Sequence, residues 1–384
     1  MTKPLSSPCR GYIEGYYGRL LNWAERHHLT AVLADTGMNT YLYAPKEDPA
    51  HRFHWRQDWD ADWWQNFAVF TADAAAKDVA VIAGIAPGLD FDFASLSQNT
   101  GRKDSDAAIL IDKSRRLIDA GATSINLLMD DLDPGFGGHD GGYQSEGAAH
   151  ADLANMLADQ LQMPLSVTPR LYADEIAAEG ETYLGDFTAR LDPDMMVWTC
   201  GCHIVAPRID LEATALARAG IATERMIVWD NLYAHDYCPR RLFLGCWQGR
   251  DSARHILINP TGLVHTDALL LHLMAAGENQ TAWQQCFSAH GVPPAFMDIA
   301  GFFDLPPQPD AAAAQDPFDP DLTKTWLDAL DTLLWRWKSP LQREWYPFLM
   351  GLRGDLLYRS GAMDRKREEK TFPPLIRPPA GALK

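Results

Sequence analysis

The sequence has no long apolar run, and it has fewer positively than negatively charged residues. No uninterrupted apolar stretch of about 18 residues occurs, so we expect no transmembrane helix. Lys and Arg total 34 against 51 Asp and Glu, which gives a formal net charge of -17. This acidic balance argues against nucleic acid or an anionic membrane as the main partner. An anionic substrate is not excluded, because a binding site can be locally positive.

Cysteine is scarce, and its positions form no CxxC pair. The six cysteines are Cys9, Cys200, Cys202, Cys238, Cys246 and Cys286. Cys200-x-Cys202 lacks a second His or Cys pair at ligand spacing, so we expect no metal and no cofactor. Residues 1–10 show neither the apolar core nor the cleavage pattern of a signal peptide. The sequence therefore predicts reduced thiols and a cytoplasmic location.

Short apolar runs alternate with segments of helical spacing or composition. Eight runs predict strands: Tyr12–Tyr16, Thr40–Ala44, Val79–Ala86, Ile125–Met129, Leu165–Thr168, Met195–Thr199, Met226–Trp229 and Ile256–Ile258. Helices are predicted between them, for example at Trp63–Ala76, Asp104–Ala120 and Gly147–Leu161. Eight alternations over about 260 residues predict an α/β fold, a (β/α)8 TIM barrel. A doubly wound open sheet is the alternative, but no GxGxxG follows the first run.

The composition changes after residue 275, which predicts a boundary. We assign 1–275 to the barrel and 276–320 to a helix and a Pro/Ala-rich linker. Residues 321–360 predict C-terminal helices, the first with its apolar residues at helical spacing from Trp326 to Trp337. The second, Leu341–Tyr358, is predicted to be interrupted around Pro347 and the following glycines. Residues 361–384 are expected to form a mobile tail.

The most informative feature is an apolar run that ends in three carboxylates. Ile125–Met129 leads directly into Asp130, Asp131 and Asp133. A buried strand has no structural use for adjacent acids at its end, and like charges this close predict at least one raised pKa. A proton donor beside a stabilising carboxylate is what glycoside cleavage requires. The alternative is a charged loop in which Asp131 or Asp133 caps the next turn.

Polar and aromatic residues also follow the other predicted strands. In a barrel these strand ends meet on one face, where active sites lie. The residues concerned are Glu14–Arg19, Pro45–Asp48, Pro87–Asp90, Tyr172, Asp230–Asn231, His235–Tyr237 and Asn259–Pro260. Acid, amide and aromatic groups on one rim favour a sugar-binding site.

Several of these motifs resemble glycoside hydrolase family 84, the O-GlcNAcase family, which includes bacterial enzymes first described as hyaluronidases. They occur in family order over residues 10–275, whereas the helical remainder resembles the family only loosely. The matching segments are Gly11–Arg19, Asn39–Lys46, His51–Arg52, Trp55–Arg56, Ala86–Asp90, Asp130–Asp133, Trp229–Asn231, His235–Tyr237, Arg241–Gly245 and Asn259–Pro260.

The resemblance implies removal of terminal β-linked N-acetylglucosamine with retention of configuration. In this family the sugar's own 2-acetamido oxygen attacks the anomeric carbon and forms an oxazoline. Asp130 matches the aspartate that orients the acetamido N–H, and Asp131 matches the acid that protonates the leaving oxygen and then activates water. A neutral Asp131 beside an anionic Asp130 suits these roles, and their mutual repulsion favours that division. Asp133 is expected to support the pair.

The resemblance also assigns substrate-binding residues. Four positions match contacts to sugar hydroxyls: the Gly15 carbonyl, Lys46, Asp236 and Asn259. Four others match the acetamido end or lie in the same motifs: Tyr172, Trp229, Asn231 and Tyr237. The family's Pro-Thr-Glu-Tyr segment is Pro169–Tyr172 here, which alters the aglycone rim. The glycine-rich segment 134–143 is interpreted as a mobile loop near the leaving group.

The expected partner is a GlcNAc-bearing glycoconjugate: O-GlcNAc protein, a cell-wall fragment or a free glycan. A non-catalytic GlcNAc-binding barrel is the first alternative, against which the intact acid pair argues. A metal-dependent barrel hydrolase is another, but its first strand would offer His-x-His and this one offers Ile13-Glu14. The C-terminal helices can pack on their own barrel or on a partner, and the family's helical dimers favour a homodimer.

Overall fold

Eight parallel strands form a closed barrel. The computed structural model describes residues 8–97, 104–136, 139–163, 165–306 and 318–362. The strands are β1 Arg10–Glu14, β2 Thr40–Tyr43, β3 Ala80–Ile85, β4 Ser124–Leu128, β5 Leu165–Thr168, β6 Met196–Thr199, β7 Met226–Asp230 and β8 His255–Ile258. They are hydrogen-bonded in sequence order, and β1 closes the barrel on β8 with Arg10 opposite Ile256. The predicted (β/α)8 barrel and C-terminal helical region are confirmed.

Helices follow the strands along the chain. Those in the described residues are α1 Trp23–Asp35, α2 Ala61–Ala75, α3 Ala94–Ser97, α4 Asp106–Asp119, α5 Glu146–Leu161, α6 Tyr183–Arg190, α7 Ala215–Arg218, α8 Val264–Ala276, α9 Gln280–Ala289, α10 Phe296–Ile299, α11 Thr323–Asp331 and α12 Pro340–Arg359. Short 3-10 turns lie at Asp174–Ile176, Thr223–Arg225, Ala300–Phe303 and Pro320–Leu322. The three predicted helices coincide with α2, α4 and α5 within two residues at each end.

The first strand begins and ends two residues earlier than the sequence predicts. Arg10 is exposed and polar, so the apolar pattern of the sequence does not indicate that this residue pairs with β8. The strand stops at Glu14, whose buried carboxylate binds the Arg26 guanidinium through two hydrogen bonds of 2.8 Å. Gly15 and Tyr16 therefore belong to the rim above the strand and not to the sheet.

The barrel interior is filled by its own apolar layer. Alternate residues of the strands point inward, as the two-residue repeat of a strand requires. Ile13, Leu42, Ile82, Trp198 and Leu257 belong to this layer and are at most 6% exposed. A larger cluster fills the space between the strands and the surrounding helices. The described side chains thus fill the barrel interior as a packed core.

The C-terminal helices pack on the barrel of the same chain. The Glu344 carboxylate of α12 accepts hydrogen bonds from the backbone N–H groups of His265 (3.0 Å) and Thr266 (2.8 Å) in the first turn of α8. Trp345 Nε1 donates to Thr266 Oγ1 at 3.0 Å. A carboxylate at a helix N-terminus satisfies free N–H groups and complements the helix dipole.

The predicted interruption of the last helix is wrong. α12 runs without a break from Pro340 to Arg359, with Pro347 inside it. An internal proline costs a helix about 3 kcal/mol. The packing of one face outweighs that cost, since its buried residues include Leu341, Trp345, Phe348, Leu349 and Leu356. A five-residue π-helical segment, Thr332–Arg336, follows α11.

Parts of the predicted linker and tail, residues 307–317 and 363–384, lie outside the described residues. The proposed domain boundaries therefore stay predictions. Within the described ranges, every helix is too short or too polar to span a lipid bilayer.

Candidate active site

A cavity of about 520 Å³ lies over the carboxyl ends of the strands. All ten residues predicted to catalyse or bind line it: Gly15, Lys46, Asp130, Asp131, Tyr172, Trp229, Asn231, Asp236, Tyr237 and Asn259. The alternation of strands and helices brings these residues together from six different strand ends. Asp133 is exposed and does not line the cavity, so its supporting role stays a prediction.

The acid pair shares one ammonium group. The Lys46 Nζ contacts Asp130 Oδ2 directly and lies 3.4 Å from Asp131 Oδ2. Lys46 and Asp130 are almost fully buried, whereas the Asp131 side chain is 32% exposed. Two phenols complete the surroundings of Asp131, since Tyr17 donates to Oδ2 at 2.7 Å and Tyr172 donates to Oδ1 at 2.8 Å.

These neighbours reverse the direction of the pKa shift predicted for Asp131. Burial alone raises the pKa of this carboxyl group, but the Lys46 ammonium and the hydrogen bonds from Tyr17 and Tyr172 outweigh burial and lower it. The sequence argument considered only the repulsion between the two aspartates. It did not include the cation that this arrangement places between them.

An amide network forms the opposite wall of the cavity. Asn231 Oδ1 accepts from Trp229 Nε1 (3.1 Å) and Asn259 Nδ2 (2.9 Å), and Asn231 Nδ2 donates to the Ile204 carbonyl (2.9 Å). These bonds fix the amide orientations. Gly15 is required beside this wall, because a Cβ atom there would lie 2.3 Å from the Trp229 ring.

Two buried acceptors in the cavity are left without hydrogen-bond donors from the described residues. They are Asp130 Oδ1 and Asn259 Oδ1, on residues 6% and 5% exposed. Both residues line the cavity, and because nearly all buried polar atoms in folded proteins are paired, their unpaired oxygens are candidate acceptors for a ligand's donors. A ligand with N–H and O–H groups meets this requirement.

The matching family model is that of the β-N-acetylglucosaminidases, over residues 10–274. The chain belongs to this family, glycoside hydrolase family 84. Similar curated proteins are the Protein O-GlcNAcases of Rattus norvegicus and Mus musculus, each 27% identical over 276 residues. That alignment covers 69% of this chain and 29% of each relative, so the chain spans less than a third of their length.

A solved structure shares the fold. A variant of an O-GlcNAc hydrolase from Thermobaculum terrenum superposes with a TM-score of 0.74 and 20% sequence identity. The match covers 95% of this chain and 87% of that one. The similarity therefore includes the C-terminal helices, which the family model does not reach.

Several cavity residues were missed by the sequence analysis of this family 84 chain. They are Tyr17, Thr168, Glu175, Thr199, Cys200, Ile204, Val205 and Ala234. Tyr17 lies within the Gly11–Arg19 segment that resembles the family. Its position just after the first strand could have identified it as a cavity residue. Cys200 was considered only as a metal ligand, whereas its buried thiol lines the cavity. Within the described ranges, no group of three or more His, Cys, Asp or Glu side chains can hold a metal ion.

Ion pairs hold the segment Pro169–Tyr172, which departs from the family pattern. Arg170 Nε donates to Glu146 at 2.7 Å, and its Nη2 contacts Glu181. All three side chains are at most 15% exposed. Glu146 is the first residue of α5, and Glu181 lies just before α6, so Arg170 links the chain on both sides of the segment that carries Tyr172.

Proposed function

We propose that this chain is a retaining exo-β-N-acetylglucosaminidase that uses the 2-acetamido group of its substrate as the nucleophile. The observation that carries the proposal is the unpaired Asp130 Oδ1 beside the hydrogen-bonded carboxyl group of Asp131, above a family 84 barrel. The pair offers one acceptor and one proton-transfer group at adjacent positions. Substrate-assisted glycoside hydrolysis uses these two functions.

In the first step, Asp130 Oδ1 accepts a hydrogen bond from the acetamido N–H. The acetamido oxygen attacks the anomeric carbon while the bond to the leaving oxygen breaks, and Asp131 gives its proton to that oxygen. The anion at Asp130 stabilises the positive charge that develops on the acetamido nitrogen. In the second step water attacks the same carbon and reopens the oxazoline, and Asp131 accepts the proton.

Asp131 must be protonated before the first step, although Lys46 favours its anion. We propose that the Lys46 ammonium turns to the ring hydroxyls when the sugar binds. Without that cation, only Tyr17, Tyr172 and Arg52 oppose the effect of burial, so the pKa of Asp131 becomes higher than in the ligand-free protein. Lys46 would thus make the acidity of Asp131 depend on substrate occupancy.

The other cavity residues recognise the sugar. Asn259 Oδ1 accepts a hydrogen bond from a sugar hydroxyl, and Asp236 accepts hydrogen bonds from hydroxyls on the far side of the ring. Trp229 and Asn231 enclose the acetamido group. Tyr237 is 53% exposed at the rim, where an aglycone would lie.

The proposed substrate class is a GlcNAc-bearing glycoconjugate, with O-GlcNAc on protein favoured by the names of the similar proteins. Cell-wall fragments and free glycans are the other candidates. The cytoplasmic location, the homodimer through the C-terminal helices, and the exclusion of nucleic-acid and membrane partners stay predictions.

Leaving-group dependence tests the two aspartate roles. We expect Asp131→Asn to lower kcat/KM for methyl β-N-acetylglucosaminide by about 10²–10⁴-fold, and for the 4-nitrophenyl glycoside much less, because a good leaving group needs little protonation. Asp130→Asn should lower both by a similar factor, on the order of 10²-fold, because acetamido participation is lost for both. Both glycosides are assayed with a chelator present.

The control is Asp298→Asn, an exposed aspartate on α10, which should behave as wild type. Equal losses on both glycosides in Asp131→Asn would remove Asp131 from the acid role. Folded wild-type protein that binds N-acetylglucosamine but hydrolyses neither glycoside would instead indicate the non-catalytic binding barrel.

A further inference from the structure

The two aspartates of the acid pair are adjacent in sequence, yet both face the cavity. Successive residues of an extended strand point to opposite faces, so a simple continuation of β4 would turn one carboxylate away. The chain avoids this at Asp131, which has a φ of 54°, in the left-handed region. This conformation is disfavoured for a residue with a Cβ atom, so surrounding contacts must hold it.

One side chain holds the backbone on both sides of this turn. Arg52 Nη1 donates to the Asp130 carbonyl at 3.2 Å, and Nη2 donates to the Asp131 carbonyl at 2.9 Å. Arg52 is 4% exposed and forms no ion pair with any described residue. The planar guanidinium presents two donors at a fixed spacing, which a lysine ammonium does not.

The segment that carries Arg52 is itself fixed from several sides. The buried Lys113 ammonium of α4 donates to the carbonyls of Ala50 (2.6 Å), Trp55 (2.8 Å) and Gln57 (2.7 Å). The neighbouring His51 donates from Nδ1 to the Gly84 carbonyl of β3 at 2.9 Å. A rigid support of this kind keeps supported groups in place to within a fraction of an ångström.

We propose that Arg52 is a positioning residue for the acid pair, whose guanidinium holds the left-handed turn that aims both carboxylates into the cavity. This rests on the proposed function, because it takes Asp130 and Asp131 as the reacting groups. Arg52 touches neither reacting atom and acts only through the two carbonyls and its charge. The segment after β2 thus carries two residues with different proposed roles: Lys46 contacts the sugar, and Arg52 positions the acid pair.

Arg56 supplies a matched comparison four residues along the same segment. Its guanidinium also makes several bonds, to Asp90 (2.6 Å) and Asp106 (2.6 and 2.7 Å), but none to the acid pair. Both arginines are replaced by Lys and by Gln, and kcat and KM are measured for 4-nitrophenyl β-N-acetylglucosaminide across pH. The melting temperature of each variant is recorded.

Arg52→Lys should lower kcat on the order of tenfold with little change in KM, because misplaced reacting groups lose rate more than binding. Arg52→Gln also removes a positive charge next to Asp131, so the basic limb of its pH profile should move to higher pH. In Arg52→Lys that limb should stay in place, because the charge is kept. Both Arg56 variants should keep the wild-type kcat and profile.

Arg52 variants with the kcat and pH profile of their Arg56 counterparts would overturn the proposal while leaving the glycosidase assignment intact. Failure of both Arg52 variants to fold would also overturn it, since the proposal gives Arg52 no general role in barrel stability. Absence of turnover in the folded wild type is a different result, because it refutes the proposed function itself.

Discussion

Tyr17 shows how much a single exposed residue can control at this site. It is 45% exposed, yet its hydroxyl donates to Asp131 and its backbone N–H donates to Asp236 at 3.0 Å. The residue therefore joins the proposed acid to a proposed sugar-binding carboxylate. A ligand hydroxyl that binds Asp236 would share this carboxylate with the Tyr17 N–H, because a carboxylate offers about four acceptor sites.

Removal of this phenol should change the pH dependence of the reaction. The hydrogen bond from Tyr17 stabilises the Asp131 anion and lowers its pKa, so Tyr17→Phe raises that pKa. Because the proposed first step needs protonated Asp131, the basic limb of the kcat/KM profile should move to higher pH. Tyr346→Phe, at an exposed tyrosine of α12, is the control. A basic limb that stays in place in Tyr17→Phe would show that this bond does not act on the catalytic acid.

At the residue scale, the sequence predicted the identity of the groups better than their interactions. Apolar runs followed by acids and amides placed Asp130, Asn231 and Asn259 at strand ends, which the barrel then brings together. The bonds from Arg52 and Tyr17 join residues far apart in the chain. A short sequence pattern does not show which distant residues come into contact. These contacts and the lowered pKa of Asp131 could therefore be found only from the structure.

At the scale of elements, local signals mark the starts of some helices. α1 begins with a capping box, in which Asn22 Oδ1 accepts from Glu25 N at 3.0 Å and Glu25 Oε2 accepts from Asn22 N at 2.9 Å. The uninterrupted course of α12 shows the opposite case. There the packing of a buried face overrides Pro347, and no short window of sequence contains that information.

Loss of this capping box should weaken the fold by a modest, measurable amount. Asn22→Ala is expected to lower the free energy of unfolding by about 1 kcal/mol, because the Glu25 N–H in the first turn loses its acceptor, Asn22 Oδ1. Asn66→Ala is the matched control, since Asn66 lies inside α2 and bonds only to the Asp62 carbonyl. Urea unfolding followed by circular dichroism measures both. Equal destabilisation by the two substitutions would contradict the capping argument.

At the scale of the whole molecule, buried histidines make the fold sensitive to acid. The His150 side chain of α5 is buried and shares a hydrogen bond of 2.8 Å with the Tyr183 hydroxyl. Burial, and secondarily Arg170, lowers the pKa of His150 from its ordinary 6.5 to about 3. Below pH 6.5 the unfolded chain therefore binds a proton that the folded protein does not, and stability falls as the pH drops.

Replacement of this histidine should reduce the acid sensitivity. His150→Phe is expected to be less stable than wild type at pH 7, by about 1 kcal/mol for the lost hydrogen bond. Between pH 7 and pH 5, however, it should lose about 2 kcal/mol less than wild type, because the proton-linked contribution is removed. Urea denaturation at both pH values tests this, with exposed His54→Phe as the comparison. Parallel losses in wild type and His150→Phe would refute the linkage.

The closure of the barrel also determines the order in which its strands can pair during synthesis. The backbone N–H of Cys9 is bonded to His255, 246 positions along the chain, and β1 has no second neighbour until β8 exists. While the ribosome makes the intervening residues, the growing sheet keeps two unpaired edges, which are surfaces prone to wrong pairing. The last two strand neighbours can join only after residue 258 leaves the exit tunnel. We therefore expect production of this protein to depend on protection of the unfinished barrel as well as on the stability of the finished one.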